Sequence, residues 1–205
     1  MEKITIAELS DQYFDVLKEI GNIGAGNATT ALAQLLGTRV DMSVPQVKLM
    51  EFKELGTTMG GEERIVAGIY LGVDGDIHGS IIFMMDIESV NAVLESLMGS
   101  KTDGSENGFN EIEVSALKEL GNIITGAYLN SISTLTGLTI YPSVPDLAVD
   151  MAGSILSVPA AEFGVFGDKM LLIQTDFSDD IDFSGYFALV PDEESYARIL
   201  SSLGF

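Results

Sequence analysis

Two pairs of polar side chains stand out because each follows one pattern, a glutamate and then, three residues later, an asparagine. Glu19 and Asn22 form the first pair, and Glu119 and Asn122 form the second. Residues at this spacing are neighbours on the surface of an α-helix, so both side chains of a pair can reach one bound group of atoms. An asparagine amide offers a donor and an acceptor and can orient a water molecule, whereas a carboxylate can pair with a cation. The pattern predicts two catalytic or docking sites carried by helices.

Each pair is followed by a long stretch without charge, over residues 20–38 and residues 120–145. Helical periodicity places small, uncharged residues on the same side as each pair. These residues are Gly26, Thr30 and Ala33 after the first pair, and Gly126, Asn130 and Ser133 after the second. We interpret this side as a low platform on which another protein can lie. A solvent-exposed stripe with glycines for helix packing is the alternative, but duplication of the pattern within one chain favours docking.

The opposite side of each helix is apolar and is predicted to face the core. Its residues are Leu17, Ile20, Gly24, Ala28 and Leu35 in the first helix, and Leu117, Leu120, Ile124, Ala127 and Tyr128 in the second. Gly21 and Gly121 lie at the edge of that side, and each costs about 1 kcal/mol of helix propensity relative to alanine. We predict that they let helices approach closely at a pseudo-twofold axis, and a functional hinge is the alternative.

The similarity between the two halves of the chain extends well beyond these pairs. Residues 18–37 and residues 118–137 are identical at eight positions when they are aligned at an offset of 100. Ser-Val-Pro then follows each segment, at residues 43–45 and 143–145. Such internal similarity indicates two copies of one structural unit.

We therefore predict a single domain over residues 1–205, made of two repeats at about 1–100 and 106–205 that share one core about a pseudo-twofold axis. Each repeat is predicted to run helix, strand, strand, strand, helix, which makes the fold α+β. Strands are predicted over 40–51, 64–73, 77–85, 139–150, 153–158, 169–176 and 183–190, and closing helices over 87–98 and 192–203. The long helices have capping-box starts, with Thr5 and Glu8 in the first and Asn110 and Glu113 in the second. Glycines suited to left-handed caps end them, at Gly37 and Gly137.

Composition excludes several classes of function. The 205 residues include 31 acidic and 10 basic ones, for a net charge of −21, and this field repels nucleic-acid phosphates and anionic membrane surfaces. The chain contains no cysteine, which excludes disulfides, a thiolate nucleophile and a cysteine-based zinc site. Polar residues such as Asn122 and Asn130 argue against membrane insertion of the second uncharged stretch. No secretory signal follows Met1, so we expect a cytoplasmic protein.

Other polar clusters predict no site. His78, the single histidine, lacks a visible catalytic partner, so a structural or surface role is expected. Residues 103–108 begin like a calcium loop, but Val114 stands where a bidentate glutamate is required, which favours a linker. Asp179, Asp180 and Asp182 are interpreted as an acidic turn, with weak cation binding as the alternative.

The duplicated Glu-x-x-Asn helices, each followed by a strand and Ser-Val-Pro, closely resemble the CheC phosphatases of bacterial and archaeal chemotaxis, a group that includes CheX and FliY. The resemblance implies hydrolysis of the aspartyl phosphate on the response regulator CheY, with Glu19 and Asn22 as one site and Glu119 and Asn122 as the other. In this family the receiver domain supplies the phosphoryl group, the Mg²⁺ and a lysine, so the chain is expected to need no cofactor or metal of its own. Asparagine would orient the attacking water, and glutamate would pair with the lysine.

The same resemblance implies a second partner, the receptor deamidase CheD, in a heterodimer. The closing helix over 192–203 is one candidate surface because its pattern is amphipathic. The competing hypothesis for function is a non-catalytic interaction module like the middle domain of the flagellar switch protein FliM, which shares the duplicated architecture but lacks the Glu-x-x-Asn pairs. The presence of both pairs favours catalysis.

Overall fold

Helices separate four pairs of strands in the computed structural model, which describes residues 11–99, 108–163, 169–179 and 183–204. The order of elements is α1 (Asp11–Leu36), β1 (Val40–Met42), β2 (Gln46–Glu51), α2 (Phe52–Thr58), β3 (Ile65–Gly75), β4 (Gly79–Asp86), α3 (Ile87–Met98), α4 (Glu111–Thr136), β5 (Ile140–Pro142), β6 (Asp146–Met151), α5 (Ala152–Phe163), β7 (Lys169–Asp179), β8 (Phe183–Pro191) and α6 (Glu193–Ser202). The predicted α+β class is confirmed.

Helix α4 begins with a complete capping box. The side-chain oxygen of Asn110 accepts hydrogen bonds from the backbone N–H groups of Ile112 and Glu113, at 2.9 and 3.1 Å. The Glu113 carboxylate accepts one in return from the backbone N–H of Asn110, at 2.8 Å. These bonds satisfy backbone donors that have no partner within the helix, so the predicted start is confirmed. The predicted start of the first helix at Thr5 and Glu8 lies outside the described residues.

Glycines end both long helices as predicted. Gly37 and Gly137 have φ angles of 67° and 72°, in the left-handed region that glycine adopts without strain. The closing helices α3 and α6 are capped by the residues just before them, Asp86 and Asp192, whose carboxylates each accept a backbone N–H bond of 2.7 Å from the third residue that follows. Both closing helices were predicted from the sequence, and both are confirmed.

One antiparallel sheet contains all eight described strands. Its central order is β7–β8–β4–β3, with β1 and β2 paired in succession along the outer side of β7. Strands β5 and β6 pair in the same way along the outer side of β3. The two halves of the chain meet where β4 pairs with β8, from Gly79 opposite Pro191 to Met84 opposite Tyr186.

The sheet separates a large core from a small one. Helices α1, α3, α4 and α6 cover one face, where Leu32, Leu120, Phe83 and Phe187 are at most 2% exposed. Helix α5 and the residues that follow α2 cover the other face with a smaller apolar cluster. Apolar residues from both halves of the chain therefore share the main core. Within the described ranges, none of the helices combines the length and the apolar character needed to cross a membrane.

The predicted strand over 153–158 is wrong, because these residues belong to helix α5. The segment is rich in apolar residues, which suggested a strand, but its buried residues repeat at helical spacing. They are Ala152, Ile155, Leu156 and Pro159. Helix α2 begins 100 residues before α5, so each half contains one short helix that was not predicted. The predicted strand over 40–51 is interrupted at residues 43–45.

Candidate functional site

Packing of α1 and α4 against the sheet and against each other determines which sides of these helices face outwards. Nine of the ten residues predicted for the core sides are buried. These are Leu17, Ile20, Gly24, Ala28, Leu117, Leu120, Ile124, Ala127 and Tyr128. The tenth, Leu35, is half-buried and packs against the same core. The prediction of the inner sides is confirmed, and the sides that carry the Glu-Asn pairs face away from the core.

Tyr128 fixes the contact between the two helices. Its ring lies where a side chain on Gly24 would otherwise project, so α1 can approach α4 only with glycine at this position. The ring also stacks on Phe187 with centroids 4.1 Å apart, and its hydroxyl lies 3.3 Å from the hydroxyl of Thr175. Burial raises the pKa of the Tyr128 hydroxyl to about 12, and the hydrogen bond to Thr175 opposes this rise. The sizes are reversed at the matching positions of the two halves. The position that matches Gly24 holds the larger Ile124, and the position that matches Tyr128 holds the smaller Ala28.

All four predicted site residues are exposed to solvent. Glu19 and Asn22 lie on the outer side of α1, and Glu119 and Asn122 lie on the outer side of α4. Each pair therefore has the geometry of helix neighbours that can contact one bound group together. The pairs are not buried against each other, so a partner can reach them.

The glycines of these helices divide into two groups. Side chains at Gly21 and Gly121 would meet Val47 and Ile69 of the sheet, so these glycines let helices approach strands. The predicted packing role holds, but the neighbour is the sheet and not the other helix. A side chain at Gly26 would meet no atom within 4 Å, and the same is true at Gly126. Packing does not require glycine at these two outer positions, which favours the platform interpretation over the packing alternative.

The platform is narrower than the sequence predicted. Gly26 and Gly126 are half-buried, and Thr30 and Asn130 are exposed as expected. The other predicted platform residue on α1, Ala33, is half-buried and packs against the main core. Ser133 is half-buried, and its hydroxyl donates a 2.6 Å hydrogen bond to the backbone carbonyl of Leu138. The outer surface therefore runs about three turns from each glutamate to residue 30 or 130.

The surroundings of the two pairs differ in one ion pair that sequence reasoning missed. The ammonium of Lys118, next to Glu119, lies 3.2 Å from the Asp146 carboxylate on β6. Lys18, next to Glu19, instead pairs with Asp15 on its own helix at 3.3 Å. The residue that matches Asp146 in the first half is Gln46, which cannot form an ion pair. This difference between Gln46 and Asp146, at matching positions of the two halves, could have indicated from the sequence that the two sites are unequal.

Three or more histidine, aspartate or glutamate side chains arranged to hold a metal do not occur in the described residues. His78 lies on the surface with its side chain 60% exposed, and its Nδ1 lies 2.9 Å from an Asp74 carboxylate oxygen. This position fits the surface role expected for it. Residues 103–107, Asp180 and Asp182 lie outside the described residues.

The amphipathic pattern of α6 is explained by packing within the protein. Its apolar residues Tyr196, Ile199 and Leu200 are between 2% and 6% exposed. They line a small cavity together with Leu17 and Ile20 of α1. The outward residues of α6 include Glu194 and Arg198, which pair with each other at 2.9 Å. Its amphipathicity is therefore no sign of a surface for another protein.

The chain is similar to known proteins in sequence and in fold. The sequence pattern of the CheC-like family matches residues 15–49 and 112–149, which contain both Glu-Asn pairs. The protein CheY-P phosphatase CheC of Bacillus subtilis (strain 168) is 36% identical over 200 residues, covering 96% of this chain and 96% of that protein. The crystal structure of FliY from Thermotoga maritima is similar with a TM-score of 0.72 and 21% identity, over 95% of this chain and 97% of that chain. The FliM middle domain from H. pylori is similar with a TM-score of 0.68 and 11% identity, over 95% and 99% of the two chains.

Proposed function

The chain belongs to the CheC-like family, and from this premise we propose that it is a phosphatase that dephosphorylates the phosphorylated response regulator CheY. The observation that carries the proposal is the presence of two exposed Glu-Asn pairs on helices whose neighbouring glycines, Gly26 and Gly126, leave open space beside them. The Bacillus subtilis relative that is 36% identical to this chain is a CheY-P phosphatase, which supports the same reaction.

In the proposed reaction, Asn22 or Asn122 holds a water molecule beside the phosphorus of an aspartyl phosphate. The amide carbonyl accepts a hydrogen bond from the water while the amide N–H donates to a phosphoryl oxygen. The water oxygen bonds to phosphorus as the bond to the aspartyl oxygen breaks, which releases inorganic phosphate and restores the aspartate. Each tenfold gain from such positioning lowers the barrier by about 1.4 kcal/mol.

Glu19 and Glu119 are proposed to fix the docked pose by pairing with a lysine of the receiver domain. An exposed ion pair of this kind contributes only about 0–1 kcal/mol, so its value lies in orientation more than in affinity. The receiver domain is also proposed to carry the Mg²⁺, so this chain supplies neither a nucleophile nor a metal. The uncharged stretches after each glutamate keep the protein's negative charge away from a phosphorylated partner.

Phosphate release from phosphorylated CheY tests this proposal. We expect Asn22→Ala and Asn122→Ala each to lower the rate and the double variant to abolish it, because no amide is left to position water. Binding to a receiver domain loaded with beryllium fluoride survives in the double variant, because both glutamates are kept. Gln34→Ala is the matched control, since Gln34 is an exposed amide on α1 beyond the platform. Full phosphatase activity in the double variant contradicts the assignment.

The alternative is a non-catalytic binding module, and the likeness of fold to a FliM middle domain is the observation in its favour. The same assay separates the two functions, because a binding module releases no phosphate beyond the rate at which phosphorylated CheY decays alone.

We also propose CheD as a second partner, and the apolar side of α6 is unavailable for it. Co-elution of the two purified proteins tests this pairing, and separate elution contradicts it. The cytoplasmic location stays a prediction.

A further inference from the structure

The Ser-Val-Pro segments form a bulge in each outer edge of the sheet. Strand β1 pairs with β7 as far as Met42 opposite Phe177, and pairing resumes in β2 with Gln46 opposite Gln174. Residues 43–45 therefore face only two residues of β7. One extra residue in an edge strand redirects a side chain away from the regular alternation of the sheet.

The second half repeats this bulge. Strand β5 pairs with β3 as far as Pro142 opposite Val73, and pairing resumes in β6 with Asp146 opposite Tyr70. Residues 143–145 again face only two residues of the neighbouring strand. The same irregularity thus occurs at the same offset of 100 residues in the sequence.

The serine of each bulge holds the backbone in place. The Ser43 N–H donates to the carbonyl of Asp176 at 2.8 Å, and the Asp176 N–H donates to the Ser43 hydroxyl at 3.2 Å. Ser143 makes the same two bonds with Gly72, at 2.8 and 2.9 Å. Two hydrogen bonds on one residue fix the position from which the next side chain projects.

The residue that projects is a valine in both halves. Val44 is 80% exposed and Val144 is 88% exposed, whereas Pro45, the next residue after Val44, is buried. Valine is β-branched and has little rotamer freedom to lose. A stiff apolar side chain on a fixed backbone is suited to contact another protein at small entropic cost.

Short segments of chain connect both valines to residues that contact the Glu-Asn helices. Val144 comes two residues, at most about 7 Å along the chain, before Asp146, whose carboxylate contacts Lys118 next to Glu119. In the first half, Val47 contacts the position of Gly21 between Glu19 and Asn22, and Val44 comes three residues before it. A partner that docks on either pair is therefore within reach of the valine of the same half.

We propose that Val44 and Val144 are apolar anchors that bind the phosphorylated receiver domain, one at each site. This inference rests on the proposed function, because the occupant is the same partner whose aspartyl phosphate the asparagines approach. The short links to the Gly21 position and to Lys118 support that occupant, since a partner docked on the Glu-Asn pairs covers the surface nearest to these links. The anchor supplies affinity, while the glutamate and asparagine supply orientation and chemistry.

Replacement of both anchors by threonine tests the inference, because threonine keeps the β-branched shape and places a hydroxyl in the contact. For the Val44→Thr/Val144→Thr variant we expect the KM for phosphorylated CheY to rise about tenfold, with kcat and the melting temperature unchanged. Val158→Thr is the matched control, since Val158 is 55% exposed on α5, on the opposite face of the sheet. The control is expected to keep the wild-type KM.

Single-site backgrounds show whether each valine serves its own pair. With Asn122→Ala, the remaining activity belongs to the first site, and Val44→Thr is expected to raise its KM. With Asn22→Ala, Val144→Thr is expected to do the same for the second site. A wild-type protein that releases no phosphate overturns the proposed function itself. An active wild type whose KM is no more affected by the valine changes than by Val158→Thr overturns the anchors alone.

Discussion

A single phenol shows how the fold changes the chemistry of a residue that the site does not use. Tyr128 is 1% exposed, and burial raises the pKa of its hydroxyl from 10.0 to about 12. The unfolded chain loses this proton near the lower value, whereas the folded protein keeps it until the higher one. Ionisation therefore favours unfolding, and the stability that depends on the neutral phenol is complete below about pH 10 and is lost as the pH rises to about 12.

Tyr128→Phe removes the part of the pH dependence of stability that comes from this hydroxyl. Between about pH 9 and pH 12, we expect the wild-type free energy of unfolding to fall by roughly 2–3 kcal/mol more than that of the variant. Urea denaturation at a series of pH values measures both curves. Tyr186 also has a raised pKa, but it is present in both proteins and cancels in the difference. Parallel curves for the two proteins contradict the burial of this hydroxyl.

At the scale of the elements, two glycines of α1 that are separated by a single residue have opposite roles. A methyl group at Gly24 would collide with the ring of Tyr128, whereas a methyl group at Gly26 would enter open space. We expect Gly24→Ala to lower the free energy of unfolding by about 1–3 kcal/mol through overpacking. Gly26→Ala should raise it by up to about 1 kcal/mol, because alanine has the higher helix propensity.

Thermal or urea denaturation of the two variants measures this contrast. Both changes add one methyl group to the same helix, so each variant serves as the control for the other. A loss of stability of equal size in both variants would mean that α1 and α4 do not pack as described.

Sequence periodicity was sufficient to predict which sides of the long helices face the core and which face solvent. Apolar side chains such as Leu117 and Leu120 are stabilised by burial, whereas a glutamate such as Glu19 has to stay in contact with water. It failed at α5, where the apolar run over 153–158 fits a buried strand or a buried helix equally well. It also missed the bulges and the ion pair between Lys118 and Asp146. These features depend on which strands pair, and pairing between distant segments leaves no local pattern in the sequence.

At the scale of the whole molecule, charge is placed where it does not interfere with the candidate sites. The chain carries 31 acidic residues, yet none lies within residues 20–38 or 120–145. These stretches supply both the inner sides that form the core and the outer sides that form the platforms. One uncharged helix therefore serves packing and docking together, since burial excludes charge on one side and a phosphorylated partner disfavours negative charge on the other.

The shared core also predicts how the molecule unfolds. Leu120 is fully buried in the cluster that joins residues of both halves, and β4 pairs directly with β8 across their boundary. We expect Leu120→Ala to lower the free energy of unfolding by about 2–5 kcal/mol and to leave one transition in urea. Far-ultraviolet circular dichroism and tyrosine fluorescence should report the same midpoint, because neither half keeps its core without the other.

Leu135→Ala, on the same helix at a position 37% exposed, is the control and should lower the free energy of unfolding much less. Two separate transitions would mean that each half folds on its own, and the description of one common core would then be wrong.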